Sequence, residues 1–126
     1  MRIAVSIWEN KVSPVLDTAT KLLIIENGNQ KEKFRFEVYL VKQDISQKCS
    51  FIRRLEIDVL ICGAVSRQFS RMLKASGINI ISWISGPAKD VLKAYFHGNL
   101  LQPKFLMPGW KSNNSPLSPP VGKEPD

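Results

Sequence analysis

The chain has little of what metal centres and disulfide scaffolds are usually built from. Among 126 residues stand two cysteines, Cys49 and Cys62, and a single histidine, His97. Two thiols cannot make a multi-disulfide framework or a four-thiolate zinc site, and one histidine adds little. A bound metal would therefore have few protein ligands, or would arrive inside a preassembled cluster. No apolar run approaches the roughly 20 residues needed to cross a bilayer. The opening MRIAVSIWEN turns polar too soon for a secretory signal, so a cytoplasmic location without membrane association is the expectation. Clustered carboxylates are missing as well. Glu9, Asp17, Asp44, Asp58 and Asp90 belong to separate junctions, and the lone histidine has no evident Ser or Cys companion. Neither acid–base nor nucleophilic catalysis is therefore indicated, and a non-enzymatic protein is expected.

Positive charge is plentiful. Eighteen Lys and Arg residues against eleven Asp and Glu give a formal net charge of +7. That balance suits an anionic partner: nucleic acid, an acidic protein, or a small anionic ligand or cluster. A hydrophobic content of 44% and a length of 126 residues fit one soluble globular domain.

The apolar RIAVSIW (2–8) predicts a central strand covered on both faces. A polar connection through Pro14 leads to a second strand, KLLIIE (21–26), closed by the turn Asn27-Gly28-Asn29. KFRFEVYLV (33–41) alternates, with Phe34, Phe36, Val38 and Leu40 on one side, and predicts an antiparallel edge partner for the second strand. The period then becomes helical: Ile45, Cys49, Ile52 and Leu55 share a stripe behind Asp44 as N-cap. DVLIC (58–62) reads as a strand and SRQFSRMLKAS (66–76) as a helix closed by Gly77. NIISWI (79–84) reads as a strand, followed by a last helix from Pro87 to a stop at Gly98. Such alternation implies parallel crossovers. The expectation is α/β: a five-stranded mixed sheet, an antiparallel hairpin plus parallel strands, with three flanking helices over residues 1–102. Residues 103–126 hold six of the eight prolines without periodicity and read as a Pro-rich irregular or disordered tail. Phe105, Leu106, Met107 and Trp110 are its apolar exception, able to dock on the domain or on a partner.

The turn Gly63-Ala64-Val65-Ser66 lies where a parallel strand ends and a helix begins, the place where open α/β sheets bind ligands. Free N–H groups of that helix favour an anion, with Arg67 and Arg71 one turn apart beside it. The plainer reading is a tight turn with Ser66 as N-cap. Cys62 likewise reads either as a metal ligand or as a buried core thiol, and Cys49 as core. His97, near the end of the last helix, suits a solvated cap. Basic residues cluster on the helices (Lys48, Arg53, Arg54; Arg67, Arg71, Lys74; Lys89, Lys93), but only Tyr39 and Trp83 offer bases a stacking surface. A nucleic-acid partner thus has thin support.

Three stretches together, MRIAVSIWENKVSPVLDTATKLLIIE, DVLICGAVSRQFSRMLKASGINIIS and SGPAKDVLKAYFHGNL, resemble the dinitrogenase iron–molybdenum cofactor biosynthesis family over residues 1–102. That family's domain starts with a Met-Lys/Arg-Ile-Ala strand and a Ser-Pro loop. An Asp-Val-Val-Ile strand, a Gly-Gly turn and a final helix ending in Gly-Xaa-Leu follow. The resemblance implies a ribonuclease-H-like fold and a small carrier or accessory protein for an iron–sulfur or molybdenum–iron–sulfur cluster or its precursor. It also implies a metallocluster donor or acceptor protein as partner. The cofactor-binding candidates are Ser13, Pro14, Cys62, Gly63, Ala64, Ser66, Arg67, Ser85 and Gly86, with Cys62 and His97 as candidate metal ligands. Two departures stand out: the glycine-rich turn keeps only Gly63, and Val15-Leu16-Asp17 replaces the His-Phe-Gly that often follows Ser-Pro. The alternative is a cofactor-free interaction or regulatory module of the same fold. No acidic residue lies inside RIAVSIW, so a two-metal nuclease site is not expected.

Overall fold

Residues 2–8 are apolar on both sides because they form the middle of the sheet. The computed structural model describes residues 1–28, 31–41 and 44–107. Strand β1 (Arg2–Trp8) pairs antiparallel with β3 (Lys21–Gly28) and parallel with β5 (Val59–Ile61). Outside these lie β4 (Lys31–Tyr39), antiparallel to β3, and β6 (Asn79–Ile81), parallel to β5. The order is β4-β3-β1-β5-β6, and a short β2 (Lys11–Val12) folds back antiparallel on the end of β1. The sheet is mixed as expected, with one short strand beyond the five read from the sequence.

Among the described residues three helices cover its two faces, and the period-2 alternation of each strand decides which side chain meets which helix. Ile3, Val5 and Ile7 of β1, Leu23 and Ile25 of β3 and Ile61 of β5 pack with Val91 and Leu92 of α3 (Ala88–Phe96). Ala4, Leu22, Ile24, Leu60 and Cys62 face the other way. They meet Ile52 of α1 (Ile45–Arg54) and Phe69 and Leu73 of α2 (Arg67–Ala75). Phe69 and Leu73 are fully buried, each worth about 1.5–3 kcal/mol of apolar transfer.

The helix stops are local. At the end of α2, Gly77 (φ 87°) donates its N–H to Lys74 O at 2.9 Å, and Ile78 donates to Leu73 O at 3.2 Å. This paired pattern needs a left-handed residue at the glycine position. Strand β6 is shorter than expected. Trp83 adopts φ 65°, a left-handed conformation that a bulky residue rarely takes, so the regular ladder ends at Ile81. The chain beyond α3 turns back through a 3₁₀ turn at Pro103–Phe105 and pairs Leu106 with Ile84, burying Phe105. The packed unit thus extends to Met107, past residue 102; Trp110 and the rest of the Pro-rich segment lie outside the described residues.

Candidate functional site at the strand ends

Strands β1 and β5 run parallel, so the segments leaving their carboxyl ends meet. Ser13 N–H donates to Ser6 O, Ala64 N–H to Pro14 O and Leu16 N–H to Ala64 O, each at 2.8 Å. These bonds lay the Ser13–Leu16 segment alongside the turn that follows β5. A Cβ on Gly63 would sit 2.4 Å from Ser13 O and 2.5 Å from Pro14 O. The one glycine kept in that turn is therefore the one that lets two backbones touch.

Beyond the turn, Ser66 caps α2 through its Oγ, which accepts from Phe69 N–H at 3.2 Å. The N–H of Ser66 itself donates to Asp17 Oδ1 at 2.8 Å. A carboxylate thus sits at the positive end of α2, the position read from the sequence as an anion site. The 3₁₀ turn Leu16–Thr18 that carries Asp17 is also held from α1: nearly buried Lys48 donates from Nζ to the backbone carbonyl of Asp17. Arg67 is the first residue of α2 and is exposed.

Cys62 lies beneath this layer with no exposed surface. Burial, reinforced by the Asp17 carboxylate, pushes its thiol far above the usual range, so the thiolate needed for ligation is suppressed. Beside it lies Ser6, since Val5 is in register with Ile61. The Ser6 hydroxyl is buried and has no hydrogen-bond partner among the described residues. An unsatisfied buried hydroxyl costs about 1–3 kcal/mol, which marks the spot as one where packing has been compromised. Cys49 is core on the α1 stripe, with Sγ 3.8 Å from Ser76 Oγ.

Ser85 and Gly86 adjoin the same loop from the opposite side. Val12 N–H donates to Gly86 O at 2.9 Å, while Ser85 N–H donates to Phe105 O at 2.7 Å. Trp83 stands between the two groups: its N–H donates to Gly63 O at 2.9 Å and its carbonyl accepts from Met107 N–H at 3.0 Å. A bulky residue held in a strained conformation by two separate segments is a feature of sites that are over-determined by their surroundings. His97 is elsewhere. It caps the far end of α3, nine helical residues or roughly 13 Å beyond the Ser85–Gly86 turn. Cys62 faces the α1/α2 side of the sheet and α3 the other, so the two candidate metal ligands do not converge. Among the described residues no group of three or more His, Cys, Asp or Glu side chains could hold a metal ion.

The structure therefore gathers Ser13, Pro14, Gly63, Ala64, Ser66 and the first turn of α2 at one point, with Ser85 and Gly86 on its flank. Sequence reading missed the residues that close this point. In the sequence Asp17 is one of five scattered acids, Lys48 one of many basic residues, and Ser6 one position in an apolar strand. Only its polarity within that strand hinted at a role.

No family model and no curated protein matches this sequence. Solved structures do match, at identities that establish the fold alone. The crystal structure of PH0822 shares 18% identity at a TM-score of 0.74, covering 79% of this chain and 91% of that one. A candidate dinitrogenase from Methanocaldococcus jannaschii gives 17% identity and a TM-score of 0.66 over 79% and 90% of the two chains. The apo form of the orange protein from Desulfovibrio gigas gives 16% and 0.62 over 83% and 94%.

Proposed function

We propose that this protein is a small, non-enzymatic carrier or accessory protein whose cargo is an anionic iron–sulfur or molybdenum–iron–sulfur cluster or its precursor. It would exchange that cargo with a metallocluster donor or acceptor protein. Membership of the dinitrogenase iron–molybdenum cofactor biosynthesis family and a ribonuclease-H-like fold are part of the proposal. The strand order and the names of the structural neighbours support both.

One observation carries the reading. The amide end of α2 faces the meeting point of the Ser13–Leu16 and Gly63–Ser66 segments, and it already holds an anion, the carboxylate of Asp17. Backbone donors fixed by two paired segments bind negative charge without a side-chain rearrangement of their own. Cargo held there would displace Asp17 and rest on amides and on Arg67. The residues suit that mode and do not suit thiolate ligation, because Cys62 is buried and protonated.

Oxygen-free reconstitution with iron and sulfide, and separately with tetrathiomolybdate, tests the proposal through visible absorbance after desalting. Wild type and Cys62→Ser should retain colour alike, and Asp17→Asn should retain more. Colourless wild type and Asp17→Asn would sink the carrier reading and leave the interaction module of the same fold. Colour lost in Cys62→Ser alone would return the thiol to the site.

A further inference from the structure

The far end of α3 forms a second concave region, away from the strand ends. Gly98, at φ 75°, donates its N–H to Tyr95 O at 3.1 Å, and Asn99 donates to Ala94 O at 3.0 Å. The last carbonyls of the helix are thus satisfied internally, and side chains set the local electrostatics. The chain then wraps through Leu100 and Leu101 towards the Pro103–Phe105 turn. Two cavities open beside this wrap, and Asn99 and Gln102 line both.

The cavities differ in chemistry. The first, about 300 Å³, is largely apolar, with Tyr95, Leu100 and Leu101 in its lining. The second, about 310 Å³, is largely polar and is lined by Lys93, His97 and Lys104, with Asp90 the one carboxylate. Lys104 is held over the Phe105 ring, its Nζ 5.1 Å from the ring centroid, which restrains the ammonium near the opening. Neither Lys93 nor Lys104 is ion-paired with a described residue. Two cations facing one carboxylate leave this half positive, whereas the adjoining half offers apolar surface to a hydrocarbon or aromatic body.

We infer that this end of α3 binds a small amphipathic anion, with its apolar body against Tyr95 and Leu101 and its acidic group between Lys93 and Lys104. Asn99 and Gln102 supply hydrogen bonds at the junction. An apolar lining with a few placed polar groups is the usual composition of a small-molecule site. A charge-assisted contact there fixes the ligand's orientation. The inference uses no residue of the strand-end site and stands or falls separately from the carrier reading.

The test uses the full chain, free of any cluster, titrated with anilinonaphthalene sulfonate. Fluorescence reports affinity and backbone amide NMR shifts report location. Saturable binding with shifts centred on residues 98–102 is expected, with displacement by octanoate. The double variant Lys93→Gln/Lys104→Gln alters two exposed side chains and should weaken binding about tenfold, as should removal of the sulfonate from the probe. No saturable binding, shifts centred elsewhere, or undiminished affinity in the double variant would each overturn the inference. A thermal melt of the double variant matching wild type shows that the loss is not unfolding.

Discussion

Helices α1 and α2 solve the same problem, unpaired N–H groups at their first turn, in different ways. At α1 the solution is local. Asp44 accepts from Gln47 N–H at 2.8 Å, and the Gln47 side chain accepts from Asp44 N–H at 3.2 Å, a reciprocal box spanning four residues. At α2 the Ser66 hydroxyl makes one local bond, and a carboxylate 49 residues earlier in the chain takes the Ser66 N–H. The first arrangement only stabilises a helix. The second ties a helix terminus to a loop across the end of the sheet, and under the proposed function it is the seat that an anionic cargo would take from Asp17.

Gly63→Ala should break the difference most severely. A methyl group 2.4 Å from one carbonyl oxygen and 2.5 Å from the next forces the Ser13–Leu16 segment off the β5 turn. A loss near 3 kcal/mol in urea unfolding is expected. A loss below about 1 kcal/mol would mean that the loop yields without cost.

The next effect concerns pH. The folded state holds the Cys62 thiol protonated well above its ordinary pKa of 9.0, so the unfolded chain releases that proton first. The associated stability is complete below pH 9 and declines as pH rises above it. Between roughly pH 8 and pH 10 wild type should lose about 1.4 kcal/mol more than Cys62→Ala, because other groups cancel in the comparison. Equal slopes for the two proteins would show that Cys62 reaches solvent in the native state.

The cap substitutions are the smallest and the most discriminating. Asp44→Ala should cost about 1 kcal/mol and leave tetrathiomolybdate retention unchanged. Asp17→Asn keeps an acceptor and removes a charge, so about 0.5 kcal/mol is expected together with increased retention. If both variants lose stability and neither changes retention, the two helix ends are equivalent and Asp17 is a cap only.

The contrast also explains what could be read in advance. Asp44, Gly77 and Gly98 were legible because each acts within a few residues of itself, as capping and left-handed stops do. The Gly63–Ser66 turn was legible as a candidate from its place between a parallel strand and a helix, beside the plainer reading of a capped tight turn, whereas Ser13 and Pro14 were candidates only through the family resemblance. What they enclose was not legible. Trp83 looked like one more strand residue, and its left-handed conformation follows from contacts to Gly63 and Met107 that no local pattern encodes. Lys48 lies on a basic helix face in the sequence, yet it is nearly buried over the Asp17 carbonyl 31 residues away.

The sequence by itself determined the three helices, the five main strands, their order and the two-faced apolar alternation of the central strands, since propensity, capping and hydrophobic period all act over short separations; the short β2 and the early end of β6 were not among them. Tertiary structure alone decided that Asp17 meets the amide end of α2, that Cys62 is sealed beneath them beside Ser6, and that His97 stands apart. Those contacts exist because β1 and β5 pair in parallel and bring distant segments to one end of the sheet. Their energies depend on burial and on distances of a few ångströms, and both arise only once the chain has closed on itself.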